Sequence, residues 1–144
     1  MAIRDPELQG SLRGVHVLLI DDDAESLDQI KRVLEYCGAL VTVRTFARQA
    51  LGVLQAVRPT VLVIGIGTPA ETAYAFIRSV RASSAEHGGT VPAVALTPLG
   101  YGVAPERIIA QGFQAHVAKP VHGGELSATI THVVTESSER NAAR

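Results

Sequence analysis

The chain has 144 residues, of which 47% are hydrophobic, and this is enough apolar material to bury the core of a single domain. Lys and Arg number 13, Asp and Glu number 14, and the formal net charge is −1 without a block of one sign. This balance argues against a nucleic-acid partner or an anionic membrane surface. The apolar runs 15–20 and 61–66 are too short to cross a membrane, and the first residues lack an apolar signal core, so we expect a cytoplasmic protein.

Short β-branched runs alternate along the chain with segments of helical periodicity. This alternation predicts an α/β fold of three layers, in which helices cover both faces of a parallel sheet. The predicted strands are 15–20, 40–44, 61–66, 93–97 and 115–118, and the predicted helices are 24–37, 47–57, 72–82, a short one from Pro105 that ends before Gly112, and 124–134. The flanks 1–13 and 136–144 are predicted to be tails, which leaves one domain over residues 14–135.

Three consecutive carboxylates, Asp21, Asp22 and Asp23, follow the first predicted strand. The ligand crevice of an open parallel sheet lies at the carboxyl ends of its strands, so these acids are predicted to lie at its mouth. Asp23 suits the cap of the next helix. Repulsion between Asp21 and Asp22 is costly unless a hard cation such as magnesium, or a cationic side chain, lies between them.

Three motifs at strand ends resemble those of the receiver domains of bacterial two-component systems. Residues 17–23, VLLIDDD, resemble the first strand and acid pair of that family. Residues 95–97, ALT, resemble its fourth strand, which ends in a switch Thr or Ser, and residues 112–120, GFQAHVAKP, resemble its fifth strand with the Lys-Pro signature. The resemblance covers about residues 12–135 and implies the CheY-like, flavodoxin-like doubly wound fold with strand order 2-1-3-4-5.

The resemblance also implies a phosphoryl-transfer mechanism. In the family, a kinase phosphohistidine donates its phosphoryl group to an aspartate at the end of the third strand. Magnesium bridges the acids and the phosphate, and a lysine neutralises charge. Carried onto this sequence, Asp21 and Asp22 match the metal-binding acids, Lys119 matches the lysine and Thr97 matches the switch hydroxyl.

Other matches in the fourth and fifth strands have plain structural alternatives. His116 stands where the family usually has Tyr or Phe as a second switch residue, and a histidine there could titrate near neutral pH. The alternative is a half-exposed strand histidine, just as Thr97 could be only a hydroxyl that satisfies a loop amide. The resemblance further implies a cis bond between Lys119 and Pro120.

The third strand departs from the family pattern at the phosphoacceptor. Residues 61–69 read VLVIGIGTP, and Gly65 occupies the acceptor position. No aspartate occurs after Asp28, so no neighbouring Asp can replace it. We therefore expect a pseudo-receiver that acts without phosphorylation. The alternative is a receiver that takes phosphate at a non-standard residue, for which Glu71 and Thr68 are the candidates in the loop.

Loss of the acceptor carboxylate should also weaken metal binding, since affinity follows ligand charge. We expect that no cofactor is required and that any magnesium site formed by Asp21 and Asp22 is weak. Lys119 is predicted to neutralise these acids across the vacated pocket, which would hold the domain in one state.

Hypotheses that place the chain in other functional classes have weaker support. The pattern Gly65-x-Gly67-x-x-Ala70 matches a dinucleotide-binding fingerprint between a strand and a helix. Pro69 interrupts its turn, however, and the strand that ends at Thr97 supplies no acid for a ribose. The sequence contains no G-x-S-x-G or H-E-x-x-H motif, so we do not predict an enzyme.

The faces that receivers use for docking define the predicted partners. The first helix would face a histidine kinase or phosphotransfer protein, and the fourth helix, fifth strand and fifth helix would face an output protein or a second copy. The candidate contact residues are Ser26, Gln29, Lys31 and Arg32 in the first helix and Arg107 and Gln111 in the fourth. A free-standing adaptor and a piece of a hybrid kinase both agree with the sequence.

Overall fold

A computed structural model describes residues 5–45, 47–67 and 69–143 of the chain. The strands are β1 (His16–Ile20), β2 (Leu40–Arg44), β3 (Val61–Gly65), β4 (Ala93–Thr97) and β5 (Ala115–Ala118). The helices are α1 (Ala24–Tyr36), α2 (Ala47–Val57), α3 (Glu71–Ala82), α4 (Pro105–Ala110) and α5 (Gly123–Ala142), with short 3-10 helices at Pro6–Leu8 and Ala85–His87. The order of elements agrees with the predicted alternation.

The five strands form one parallel sheet in the order β2-β1-β3-β4-β5. This order and the helices on both faces confirm the predicted fold class. Side chains on a strand alternate between the two faces, so Val17 and Leu19 pack on one side of the sheet and Leu18 and Ile20 on the other. Buried strands of this kind read as continuous apolar runs because both faces are covered.

The first helix shows how the sequence specifies local structure. The side chain of Asp23 accepts hydrogen bonds from the backbone N–H groups of Glu25 at 3.1 Å and Ser26 at 3.5 Å, which confirms the predicted cap. The buried residues recur at three- and four-residue spacing, as an amphipathic helix requires, and are Leu27, Ile30, Val33 and Leu34. Cap and apolar face together fix where α1 leaves β1.

The described parts of the two segments predicted as tails, residues 5–13 and 136–143, are more ordered than expected. Leu12 is completely buried, its backbone N–H donates to the carbonyl of Cys37 at 2.8 Å, and the Ser11 hydroxyl lies 2.8 Å from that of Ser127. The apolar side chain of Leu12 explains why this segment packs onto the domain. The helix predicted to end at residue 134 continues to Ala142, because neither Gly nor Pro interrupts residues 135–142.

None of the helices in the described ranges combines the length and the apolar character that a membrane crossing requires.

Candidate functional site

The carboxyl ends of the strands meet at one edge of the sheet and form a cleft there. Because all strands are parallel, Asp21 after β1, Gly65 at the end of β3 and Lys119 after β5 lie at this edge. The cleft has a volume of about 390 Å³. Its polar or glycine lining residues are Asp21, Asp22, Thr45, Gly65, Gly67 and Thr72. We call it the acidic cleft.

Asp21 has both carboxylate oxygens engaged. Lys119 Nζ donates to its Oδ2 at 2.7 Å, and the backbone N–H of Asp23 donates to its Oδ1 at 3.0 Å. The side chain of Asp21 is 2% exposed and that of Lys119 is 22% exposed, so this is a largely buried ion pair. A buried carboxylate is stable only when its charge is paired and hydrogen-bonded, and Asp21 has both kinds of partner.

The absence of side chains at Gly65 and Gly67 leaves space for the carboxylates of Asp21 and Asp22. A Cβ atom at Gly65 would overlap the carboxylate of Asp21, and a Cβ atom at Gly67 would lie 2.5 Å from Asp22 Oδ2. Any residue with a side chain at position 65 would therefore displace Asp21 from its present position. The ion pair between Asp21 and Lys119 therefore depends on the absence of a side chain at Gly65.

The acid residues do not make up a complete magnesium site. Asp21 is committed to Lys119, and position 65 carries no carboxylate. Asp22 is exposed and is in none of the ion pairs found among the described residues. Within those residues, no group of three or more His, Cys, Asp or Glu side chains could hold a metal ion. A hard cation prefers several oxygen ligands, and this cleft offers one uncommitted carboxylate.

Neither of the predicted switch residues lines the acidic cleft. Thr97 is 4% exposed at the end of β4, and its carbonyl accepts from the Lys119 backbone N–H at 2.8 Å. His116 lies beside Ala95 in the sheet register and is half-buried. Its Nδ1 is buried and has no hydrogen-bond partner in the part of the chain that the structure describes. The bond between Lys119 and Pro120 is cis, as predicted.

A second groove lies on the other side of Lys119, between α1 and the loop that follows β5. Its volume is about 520 Å³. Lining residues include Ser26, Gln29 and Arg32 of α1 together with Pro120 and His122. Three of the predicted docking residues of the first helix therefore line one groove, which we call the α1 groove.

Two of the three remaining predicted docking residues, Lys31 and Gln111, have partners of their own. Lys31 pairs with Glu35 at 3.2 Å within α1, and the Gln111 side chain accepts from Arg78 Nη1 at 3.0 Å. Arg107 is exposed on α4.

Sequence reasoning missed a contact between two tyrosines. The hydroxyls of Tyr74 on α3 and Tyr101 in the loop before α4 lie 2.5 Å apart. Burial, followed by the hydrogen bond with Tyr101, raises the pKa of Tyr74 to about 12. The two residues are 27 positions apart, and no motif at either position indicates that they meet.

The dinucleotide fingerprint is only partly visible in the structure, because Thr68 lies outside the described residues. Helix α3 begins at Glu71, and Ala70 offers no side-chain cap. Asp21 and Asp22 line the cleft beside Gly65 and Gly67, and their charge would repel a pyrophosphate.

Comparison with known proteins gives one curated relative. No protein-family model matches the chain. A protein of Leptolyngbya boryana, described as an uncharacterized 14.6 kDa protein in the sodA1 3′ region, is 33% identical over 116 residues. The match covers 81% of this chain and 87% of that protein.

Solved structures of receiver domains share the fold. The receiver domain of the sensor histidine kinase PA1611 from Pseudomonas aeruginosa, with a magnesium ion coordinated in its active-site cleft, is 25% identical at a TM-score of 0.74, covering 85% of this chain and 98% of that one. A response regulator from Chloroflexus aurantiacus, described as putative, is 23% identical at a TM-score of 0.77, covering 84% and 98%. CheY4 of Vibrio cholerae is 24% identical at 0.70, covering 83% and 98%. The chain thus belongs to the family of the Leptolyngbya boryana protein and has the CheY-like fold of response-regulator receiver domains.

Proposed function

We propose that this chain is a signalling module of a two-component or phosphorelay system that acts through protein contacts without being phosphorylated. The observation that carries the proposal is the glycine at position 65, at the end of β3, where the receiver pattern has its phosphoacceptor. Glycine offers neither a nucleophile nor a charge. The receiver fold supports the assignment to signalling, and the residue at the acceptor position supports the loss of phosphate chemistry.

The ion pair between Lys119 and Asp21 would keep the module in one state. Phosphoryl transfer needs cationic groups that are free to neutralise developing charge, and here the lysine is already paired with a buried acid. Thr97 has no phosphate to bind in such a module. Partner binding would then depend on the concentration of the protein and on its surface residues, since no phosphorylation in the cleft would change the docking faces.

Phosphorylation at a substitute residue is the alternative within the same family. Glu71 is exposed at the start of α3 and does not line the acidic cleft, so its carboxylate is not placed beside Asp21 and Asp22 as a phosphoacceptor would be. Thr68 lies outside the described residues. The position of Glu71 outside the acidic cleft favours the phosphorylation-independent module.

Phosphorylation is tested by incubating the protein with magnesium and acetyl phosphate, or with beryllofluoride, and recording intact mass and amide NMR shifts. We expect no adduct and no concerted shift around Asp22, Thr97 and Lys119. Gly65→Asp should gain an acid-labile adduct, whereas Gly65→Asn, which has nearly the same shape but no nucleophile, should not. A stable phosphate adduct on the natural chain would contradict the proposal and return it to phosphoryl signalling.

Two faces are the proposed docking surfaces. The α1 groove would accept a histidine kinase or phosphotransfer protein, and the α4, β5 and α5 face would accept an output protein or a second copy. Exposed apolar side chains near α4 support the second surface, since Leu99 is 82% exposed and Ile109 is 38% exposed. Arg32 and Arg107 mark the two faces with one exposed charge each, and Arg32 also pairs with Asp28 at 3.1 Å within α1.

Docking is tested by charge reversal at each face. Arg32→Glu should weaken binding of kinase and phosphotransfer domains from the source organism, and Arg107→Glu should leave it intact and weaken self-association or output binding. Each variant is the control for the other, because both reverse one exposed charge on a helix, and thermal unfolding of Arg32→Glu measures the separate effect of losing the exposed pair with Asp28. Calorimetric titration without acetyl phosphate measures both, and equal effects of the two variants would argue against separate surfaces.

A further inference from the structure

A polar groove lies at the amino ends of the strands, opposite the acidic cleft. Its volume is about 240 Å³. Its lining combines α3, the segments before β4 and β5, and the C-terminal half of α5, through Arg81, Thr90, Gln114, Ser137, Arg140 and Asn141. We call it the basal groove. A second groove of about 240 Å³ shares Thr90, Ser137 and Asn141 with it, so the two are continuous.

Arg81 holds a fixed positive charge at this groove. Its Nε donates to the Gly112 carbonyl at 2.9 Å, and its Nη1 donates to the carbonyls of Gly89 at 3.0 Å and Val91 at 2.6 Å. These partners are neutral, and the ion pairs found in residues 5–45, 47–67 and 69–143 do not include Arg81 or Arg140. Burial, together with the like charge of Arg140, lowers the pKa of Arg81.

Gln114 presents a hydrogen-bond donor to the groove. Its Oε1 accepts from Arg81 Nη2 at 2.9 Å and from the Ala93 backbone N–H at 2.7 Å. The oxygen is therefore occupied, which leaves the amide Nε2 as the free end of the side chain. Among the described residues that line the groove there is no Asp or Glu. Two guanidinium groups, an amide donor and two hydroxyls, with no carboxylate among the lining residues, form a setting that favours an anion.

We propose that the basal groove binds a phosphate monoester of a small molecule. The phosphate would be held by Arg140, the Gln114 amide and the hydroxyls of Thr90 and Ser137, beside the fixed charge of Arg81. Arginine and hydroxyl donors match the several acceptor oxygens of a phosphate group, and charge-assisted hydrogen bonds to it are the strong ones. This site is independent of the acidic cleft, with which it shares no lining residue.

The adjoining groove indicates an ester and not phosphate alone. It extends from Thr90 and Ser137 to apolar side chains that include Pro59, Pro92 and Val134. An organic group attached to the phosphate could contact these side chains, whereas inorganic phosphate leaves this part of the surface in water. Removal of apolar surface from water adds affinity in rough proportion to its area.

The experiment is a titration of the full chain with inorganic phosphate and, separately, with phenyl phosphate, whose ring can contact the apolar side chains of the adjoining groove, at constant ionic strength. Amide NMR shifts of Thr90, Gln114 and Ser137 should saturate with either ligand, and the ester should bind more tightly. Acetate is the control for a non-specific anion. Linear shifts that acetate reproduces would overturn the site, and tighter binding of inorganic phosphate would overturn the assignment to an ester.

Variants distinguish a specific binding site from non-specific attraction of an anion to positive charge. Arg140→Gln should weaken ester binding about tenfold through loss of one charge-assisted contact, and Ser137→Glu should abolish saturation by like-charge repulsion. Arg13→Gln is the matched control, because Arg13 is exposed, carries the same charge and does not line the groove. Because Arg140 is exposed near the end of α5, its replacement should not disturb the fold, and unchanged amide shifts elsewhere in the chain would verify this. Equal affinity in Arg140→Gln and Arg13→Gln would overturn the proposal.

Discussion

The carboxylate of Asp21 is almost fully buried, and its two oxygens are bound by two different elements. Lys119, after β5, donates to one, and the backbone of Asp23, before α1, donates to the other. Removing one partner of a buried pair leaves the other charge without compensation, and this costs more than the pair contributes when intact. The residues at this site should therefore be strongly coupled.

Lys119→Met should lower the free energy of unfolding by about 3 kcal/mol, because Asp21 would remain buried without its counter-charge. The double variant Lys119→Met with Asp21→Asn should recover part of that loss, since it removes both charges. Urea denaturation of the two single variants and the double variant measures the coupling, provided that the free energy of unfolding has the same slope against urea concentration in each. Additive effects of the two substitutions would show that the ion pair contributes little.

Gly65→Ala should lower the free energy of unfolding by about 1–3 kcal/mol, as expected when a methyl group is forced into a packed site. Its Cβ atom would overlap Asp21 and push the carboxylate away from Lys119.

Gly52→Ala is the matched control for this change. Gly52 lies within α2, and none of the described side chains lies within 4 Å of an added Cβ atom, so the substitution should raise stability by about 0.5–1 kcal/mol. Equal effects at the two glycines in thermal unfolding would mean that Asp21 moves without cost.

At the scale of elements, the hydroxyl contact between Tyr74 and Tyr101 joins α3 to the loop between β4 and α4. The loop contains two glycines with positive φ, Gly100 at 72° and Gly102 at 72°, a conformation that other residues rarely adopt. The tyrosine contact therefore restrains a segment that lies next to the proposed α4 docking surface.

Burial of Tyr74, together with its hydrogen bond with Tyr101, should make stability fall at high pH. Folding raises the pKa of Tyr74 from 10.0 to about 12, so the folded state holds this proton more tightly than the unfolded state. The contribution is fully present below about pH 10 and is lost as pH rises toward 12. Tyr74→Phe should remove this pH dependence in denaturation curves at pH 9 to 12, and Tyr36→Phe serves as the control.

At the scale of the whole molecule, the positions of the strands follow from the sequence and the contacts of the site do not. Strands buried on both faces produce apolar runs, and each predicted strand agrees with the structure to within one residue. The ion pair joins residues 98 positions apart, and only the resemblance to receivers suggested it. Contacts that depend on loop conformation, such as those of Arg81 and Tyr101, leave no periodic signal.

Magnesium should have almost no effect on the stability of the whole domain. A ligand that binds only the folded state stabilises it by RT ln(1 + [L]/Kd), so a site with a dissociation constant of about 10 mM gives roughly 0.4 kcal/mol at 10 mM magnesium. The natural chain should therefore show a shift in Tm of at most a few degrees at that concentration.

Gly65→Asp adds a third carboxylate at the cleft and competes with Asp21 for Lys119, so its Tm should rise clearly with magnesium while that of Gly65→Asn does not. Thermal unfolding of the three proteins with magnesium, and with sodium chloride at equal ionic strength, makes the comparison. A large magnesium-specific rise in the natural chain would mean that Asp22 and Asp21 hold the ion without a third acid, and that Lys119 leaves Asp21 when metal is present.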